Sequence, residues 1–215
     1  MRALLLALPL LAAPLGASAH PHVFVDAEIE VVMDGAGAVT GLRLTWIYDP
    51  FFSLLLTEEQ GLDPDGDAVL TEAETQALAG SVLDWPPDFA GDLTVTQGGA
   101  PVALAPREDP ALAFVDGRIR ESHLRPLAQP LRADTPIVVQ NFDPSYYVAY
   151  AVSENVSLTG GEGCAAALSR ADPDEAQAEI DAIWGDIGIA DAPADVTLPP
   201  IGYAFADTIE VRCGA

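Results

Sequence analysis

Lysine is absent from this 215-residue chain, and nine arginines face 33 acidic residues, for a formal charge of −24. That balance excludes the clustered basic surface that nucleic acid requires. It equally excludes a phosphate-binding loop built on Gly-Lys-Ser/Thr, and it disfavours docking on anionic lipid. Cations are the favoured partners. Beyond residue 19 no run approaches the roughly 18–20 apolar residues of a membrane-spanning helix, so the chain is not read as an integral membrane protein. Neither a Gly-x-Ser-x-Gly elbow nor a His-Glu-x-x-His helix occurs. No catalytic residues are assigned, and the chain is not read as an enzyme.

What is present begins with the first nineteen residues. Arg2 supplies a positive start, Leu4 to Leu15 an apolar run, and Ala17-Ser18-Ala19 a small-x-small cleavage site. Together they read as a signal peptide over 1–19 that leaves an exported domain over 20–215. Half of the residues are hydrophobic, enough to bury a core. The two cysteines, Cys164 and Cys213, are an even count for an oxidising compartment. They are expected to form a disulfide tying the last strand to the middle of the chain, a shared metal being the other use open to them.

From His22 to Met33 the sequence alternates. Val23, Val25, Ala27, Ile29 and Val31 share one side, and His22, Phe24, Asp26, Glu28 and Glu30 share the other, the mark of a half-buried strand. A turn at Asp34 to Gly37 and a second strand over 39–48 complete a hairpin. Asp49-Pro50 then reads as the cap and first residue of a helix. A second helix is predicted from about Thr71 to Asp84, stopped by Trp85-Pro86-Pro87. Strands are predicted over 93–97, 102–104, 111–120, 123–131, 137–142 and 146–152. A helix follows Asp172-Pro173-Asp174-Glu175, and a last strand ends at Cys213. The expected fold is α+β, mainly antiparallel and sandwich-like, with a helical insertion over 49–85 and a C-terminal helix.

Between the two inserted helices runs Asp63-Pro64-Asp65-Gly66-Asp67-Ala68-Val69-Leu70-Thr71-Glu72-Ala73-Glu74. Counted from Asp63, it places Asp63, Asp65 and Asp67 at positions 1, 3 and 5 and the Val69 carbonyl at 7. Thr71 then falls at 9 and Glu74 at 12, which is the oxygen-ligand order of an EF-hand calcium loop. Position 6 departs from it. That turn wants φ > 0 and usually holds glycine, so Ala68 is expected to cost roughly 1–2 kcal/mol, or ten-fold in Ca²⁺ affinity. A solvated acidic turn is the competing reading.

Two of the three histidines would open the mature chain. Cleavage after Ala19 would leave His20 with both an α-amine and an imidazole, and His22 two residues on points to the same side. Pro21 lacks the amide hydrogen that a square-planar amino-terminal site needs. His20 with His22 or His123 therefore suits a divalent transition ion such as Zn²⁺. Asp26 is a further candidate ligand on the same strand face.

The start His20-Pro21-His22-Val23-Phe24-Val25-Asp26 resembles the opening of the bacterial DUF1007 family. So do Trp46-Ile47-Tyr48-Asp49-Pro50-Phe51-Phe52-Ser53 and Phe142-Asp143-Pro144-Ser145-Tyr146-Tyr147. The resemblance implies a periplasmic metal-handling component of a transport system with a membrane permease as partner. It points to His20, His22 and Asp26. The alternative is a structural or interaction module stabilised by Ca²⁺ alone.

Overall fold

A computed structural model describes residues 21–87, 89–187 and 200–214. The signal-peptide reading, His20 and the segment 188–199 lie outside the described residues. The chain opens with β1 (Val23–Met33) and β2 (Ala38–Tyr48), followed by α1 (Pro50–Glu59) and α2 (Glu72–Val82). Then come β3 (Leu93–Gln97), β4 (Ala100–Pro101), β5 (Glu108–Val115), β6 (Arg118–Arg132), β7 (Ile137–Asn141) and β8 (Val148–Val152). The chain continues through β9 (Ser157–Thr159), β10 (Cys164–Ser169), α3 (Pro173–Ile187), a 3-10 turn at Gly202–Phe205 and β11 (Thr208–Cys213).

The strands form two sheets. One has the order β5-β6-β2-β1-β8 with β9 also on β1, and the other runs β10-β11-β7-β3-β4. Most neighbours are antiparallel, but β8 and β9 both run parallel to β1. The two inner faces share one core. Val25, Ala27, Ile29 and Leu44 come from the first sheet, and Val95, Ile137, Val139 and Val211 from the second. The period-two pattern of β1 holds along its whole length, apolar residues buried and Phe24 and Asp26 exposed. This is the expected α+β sandwich with its helix pair inserted between β2 and β3.

Asp49 caps α1 as its sequence suggests, accepting the Phe52 N–H at 2.9 Å while Pro50 opens the helix. Only part of its apolar surface faces inward, Phe52 packing against the core. Its buried residues are Ser53 and Thr57, whereas Phe51, Leu54 and Leu55 are exposed. Ser53 Oγ accepts the Ile119 N–H of β6 at 3.1 Å, so a small polar contact seats the helix on the sheet. α2 starts with a full capping box between Thr71 and Glu74, and Asp172 caps α3 by accepting the Asp174 and Glu175 N–H groups.

Two strand expectations change. The predicted strands at 111–120 and 123–131 are divided instead at Asp116-Gly117, where φ is +52° and +72°. Two positive φ values make the two-residue turn that suits strand twist, so β6 runs unbroken for 15 residues. Pairing of β10 with β11 sets Cys164 directly opposite Cys213, although β9 and β10 are not apparent from the sequence pattern. The cysteines form the expected disulfide, which leaves no thiolate pair to hold a metal.

The disulfide spans 49 residues, which in the chain-entropy model is worth about 4 kcal/mol. The Cys164→Ala/Cys213→Ala variant should lose about that much unfolding free energy in urea, with an unchanged strand signature in circular dichroism. A loss below about 1 kcal/mol would mean that the loop is already restrained in the unfolded chain.

Candidate functional site

The acidic loop between α1 and α2 gathers Asp63, Asp65 and Asp67, whose ligand atoms lie within 4.8 Å of one another. They form the only such group of three or more among the described residues. Asp63 organises the loop, accepting the Asp67 N–H at 3.1 Å and the Ala68 N–H at 3.0 Å. Asp67 in turn accepts the Val69 N–H at 2.9 Å. The Asp67 charge, followed by a hydrogen bond with Asp63, holds the Asp65 carboxyl above its ordinary value, a like-charge crowding that a bound cation relieves.

The remaining positions are less favourable. Glu74 at position 12 accepts the Thr71 N–H at 2.8 Å and the Thr71 hydroxyl at 2.7 Å, so a bidentate grip on an ion would cost the helix that cap. Ala68 sits at φ +59°, in the left-handed region expected at this place. Because the Asp63–Ala68 bond already holds it there, the strain belongs to the fold itself and not to a step taken on ion binding.

His22 is exposed at the head of β1. Its N–H donates to the Tyr147 carbonyl at 2.9 Å, and its ring rests against the Tyr147 ring at a centroid distance of 4.8 Å. Among the described candidate ligands, His123 does not come together with Asp26. Asp26 is exposed and paired with Arg118 at 2.7 Å, on the outer face of its sheet. His123 is fully buried on the inner face. One sheet separates them, so they cannot share an ion.

His123 instead lies edge-on to Trp46 and Trp85, at centroid distances of 5.1 and 4.8 Å. Burial, reinforced by the charges of Arg107, Arg125 and Arg43, lowers its pKa to about 3, so the ring is neutral. Neither ring nitrogen has a hydrogen-bond partner among the described residues. Its neighbour on the same face, Glu121, is also fully buried. It accepts from Arg107 at 3.2 Å and from the Tyr48 hydroxyl at 3.3 Å. Arg107 also donates to the Leu83 carbonyl at 2.6 Å and lies 3.8 Å over the Trp85 ring, clamping the end of α2 to the sheet. Sequence reasoning missed this cluster. The signal was Glu121-x-His123-x-Arg125, charged groups at period two on what proves to be the buried face.

Next to the cluster opens a cavity of about 370 Å³, half of whose lining residues are aromatic. Trp46, Phe52, Trp85, Phe89 and Tyr150 are among them, with Asp92 as the one carboxylate. Asp92 accepts the Tyr150 hydroxyl at 2.8 Å, and burial raises its pKa to about 6. No described helix is long and apolar enough to cross a membrane.

A family model described as "Protein of unknown function (DUF1007)" matches residues 5–213, nearly the whole chain. No curated protein matches.

Two outcomes follow from this geometry. Replacing Ala68 with glycine should stabilise the chelator-treated protein by about 0.5–1 kcal/mol, since relief of the left-handed strain outweighs the added freedom of the unfolded chain. Equal urea midpoints would show that the loop is not strained. For Glu121, burial raises the carboxyl from 4.5 to about 7 against the pull of the Arg107 charge and the Tyr48 hydroxyl. Its stabilising contribution is thus fullest below about pH 4.5 and is lost as pH rises through about 7. His123 has the opposite sign, so each pH needs its own comparison with the wild type. From about pH 5 to about pH 8 the melting temperature of Glu121→Gln should move upward relative to wild type, and a constant difference would refute the assignment.

Proposed function

The chain belongs to the DUF1007 family, and on that premise we propose that it is an exported, periplasmic metal-binding accessory protein of a transition-metal transport system. Its amino terminus captures a divalent ion such as zinc, nickel, cobalt or copper. Its acidic surface raises the local cation concentration. It works by binding and hand-over, without catalysis.

One observation carries the reading. His22 is exposed on a backbone held to Tyr147, two residues from the α-amine that cleavage after Ala19 would release. A fixed imidazole and a nearby amine lower the ordering cost of a chelate. The disulfide suits an oxidising compartment. A permease partner finds support in the exposed Phe51, Leu54 and Leu55 of α1, because exposed apolar patches mark contact surfaces. Phe24, joined through its backbone to Asp49 at the head of that helix, is exposed as well.

The Asp63-Asp65-Asp67 group favours a second reading, in which Ca²⁺ only staples the helical insertion. The two readings respond to different titrants. Protein recovered from the export compartment with its own amino terminus should start at His20 by intact mass. It should bind Zn²⁺ or Ni²⁺ at least about ten-fold more tightly than the His20→Ala/His22→Ala variant in calorimetry. Identical affinities would end the first reading. A melting temperature raised by Ca²⁺ and abolished by Asp65→Ala, with no transition-metal response, would establish the second.

A further inference from the structure

We propose that the aromatic cavity between α1, α2 and the β1–β8 edge is a binding site for a small organic cation of the alkylammonium type, with Asp92 as its counter-ion. The proposal is independent of the amino-terminal metal reading and uses none of its ligands.

Asp92 is the feature that needs explaining. Its carboxylate is half-buried in a wall of rings, yet none of the eight described arginines forms an ion pair with it. Arg107, which lies over the Trp85 ring of the cavity wall, is spent on Glu121 and the Leu83 carbonyl. Among the described residues, the carboxylate's one hydrogen bond comes from Tyr150, a neutral donor. An ionised carboxylate withdrawn from water without a counter-charge is expensive.

The backbone nevertheless goes to some length to hold it there. Asp92 has φ +48°, directly after Gly91 at +76°. Its carbonyl is gripped at 2.7 Å by both the Phe142 N–H and the Asn141 side-chain amide. A non-glycine residue locked in the left-handed region by surrounding bonds is a pattern found at binding sites. An asparagine would still accept the Tyr150 hydroxyl and serve the fold as well, so the negative charge is the part left without a structural use.

The cavity supplies the complement. Trp46 packs on Trp85 at 5.5 Å and on Tyr150 at 5.3 Å, Phe89 meets Trp85 edge-on at 4.8 Å, and Tyr48 stacks on Phe52 at 5.4 Å. Rings carry negative electrostatic potential on their faces and attract a cation that has shed its water. A volume of about 370 Å³ is in the range of small-molecule pockets. A bare metal ion fits poorly, since a hard cation wants six or more oxygens and the wall offers one carboxylate. A neutral ligand would leave Asp92 uncompensated. An alkylammonium group satisfies both the rings and the charge.

The test compares choline and tetramethylammonium with 3,3-dimethyl-1-butanol, the uncharged shape-match of choline, by tryptophan fluorescence and calorimetry on the wild-type mature protein. Both cations should bind saturably and roughly ten-fold more tightly than the neutral alcohol. Asp92→Asn should weaken choline by a similar factor, and Phe89→Leu, which leaves the carboxylate in place, by several-fold. Equal binding of choline and the alcohol would overturn the proposal and mark the cavity as merely apolar. Absence of saturable binding by either cation would overturn it as well. Both comparisons use wild-type protein and so hold whether or not a variant folds.

Discussion

Asn141 makes the connection on which the rest of the molecule depends. It is buried at the end of β7, where its side-chain oxygen accepts the Trp46 indole N–H at 2.9 Å. Its amide donates to the Gly91 and Asp92 carbonyls. One side chain thus joins the inner face of the first sheet, the end of the second, and the turn that carries Asp92. All of its polar atoms are satisfied in a dry place, where an unmade bond would cost a full desolvation penalty. The orientation of Trp46 follows from it. That indole then sets the positions of Trp85, Tyr150 and His123, each of which packs on it.

A second constraint follows from β6. Its buried face carries Glu121, His123 and Arg125 where an ordinary sandwich would carry aliphatics. Arg107 compensates Glu121 and, through Leu83, fastens the helical insertion. The acidic loop therefore stands on a base held partly by a buried ion pair. Such pairs contribute little net stability but are costly to break on one side. This arrangement suits a helix pair whose own burial is thin, α1 seating through Ser53 and Thr57 and α2 through Leu78.

Much of this was legible from the residues, for reasons that are local. Strict alternation announced β1, Asp49-Pro50 announced the start of α1, and Trp85-Pro86-Pro87 announced the stop after α2. An even cysteine count announced the disulfide. What escaped depends on parity and on partners distant in the chain. His123 was among the expected ligands, but the parity of β6 turns it to the buried face. With the strand divided in the wrong place, the buried Glu-x-His-x-Arg row was hidden. The Asp116-Gly117 turn, a strong hairpin signal, joins strands of unlike pattern, apolar from Ala111 to Val115 and charge-rich from Arg118 to Arg125. β9 and β10 are short, and β10 is half alanine, with little propensity to read. The carboxylate at Asp92 had no local signature, since its meaning comes from rings contributed by β2, β8 and the segment after α2.

The parallel seating of β8 and β9 against β1 has a bearing on how the chain reaches this state. The first strand synthesised can zip to β2 at once, but its other edge stays open until residues 148–159 arrive. Closure across more than a hundred residues is slow compared with a hairpin. In that interval a row of unpaired backbone amides flanked by Val, Ile and Phe is a template for the wrong neighbour. A nascent molecule is therefore most exposed to aggregation early, and a holdase that shields the leading edge would raise the yield of folded protein.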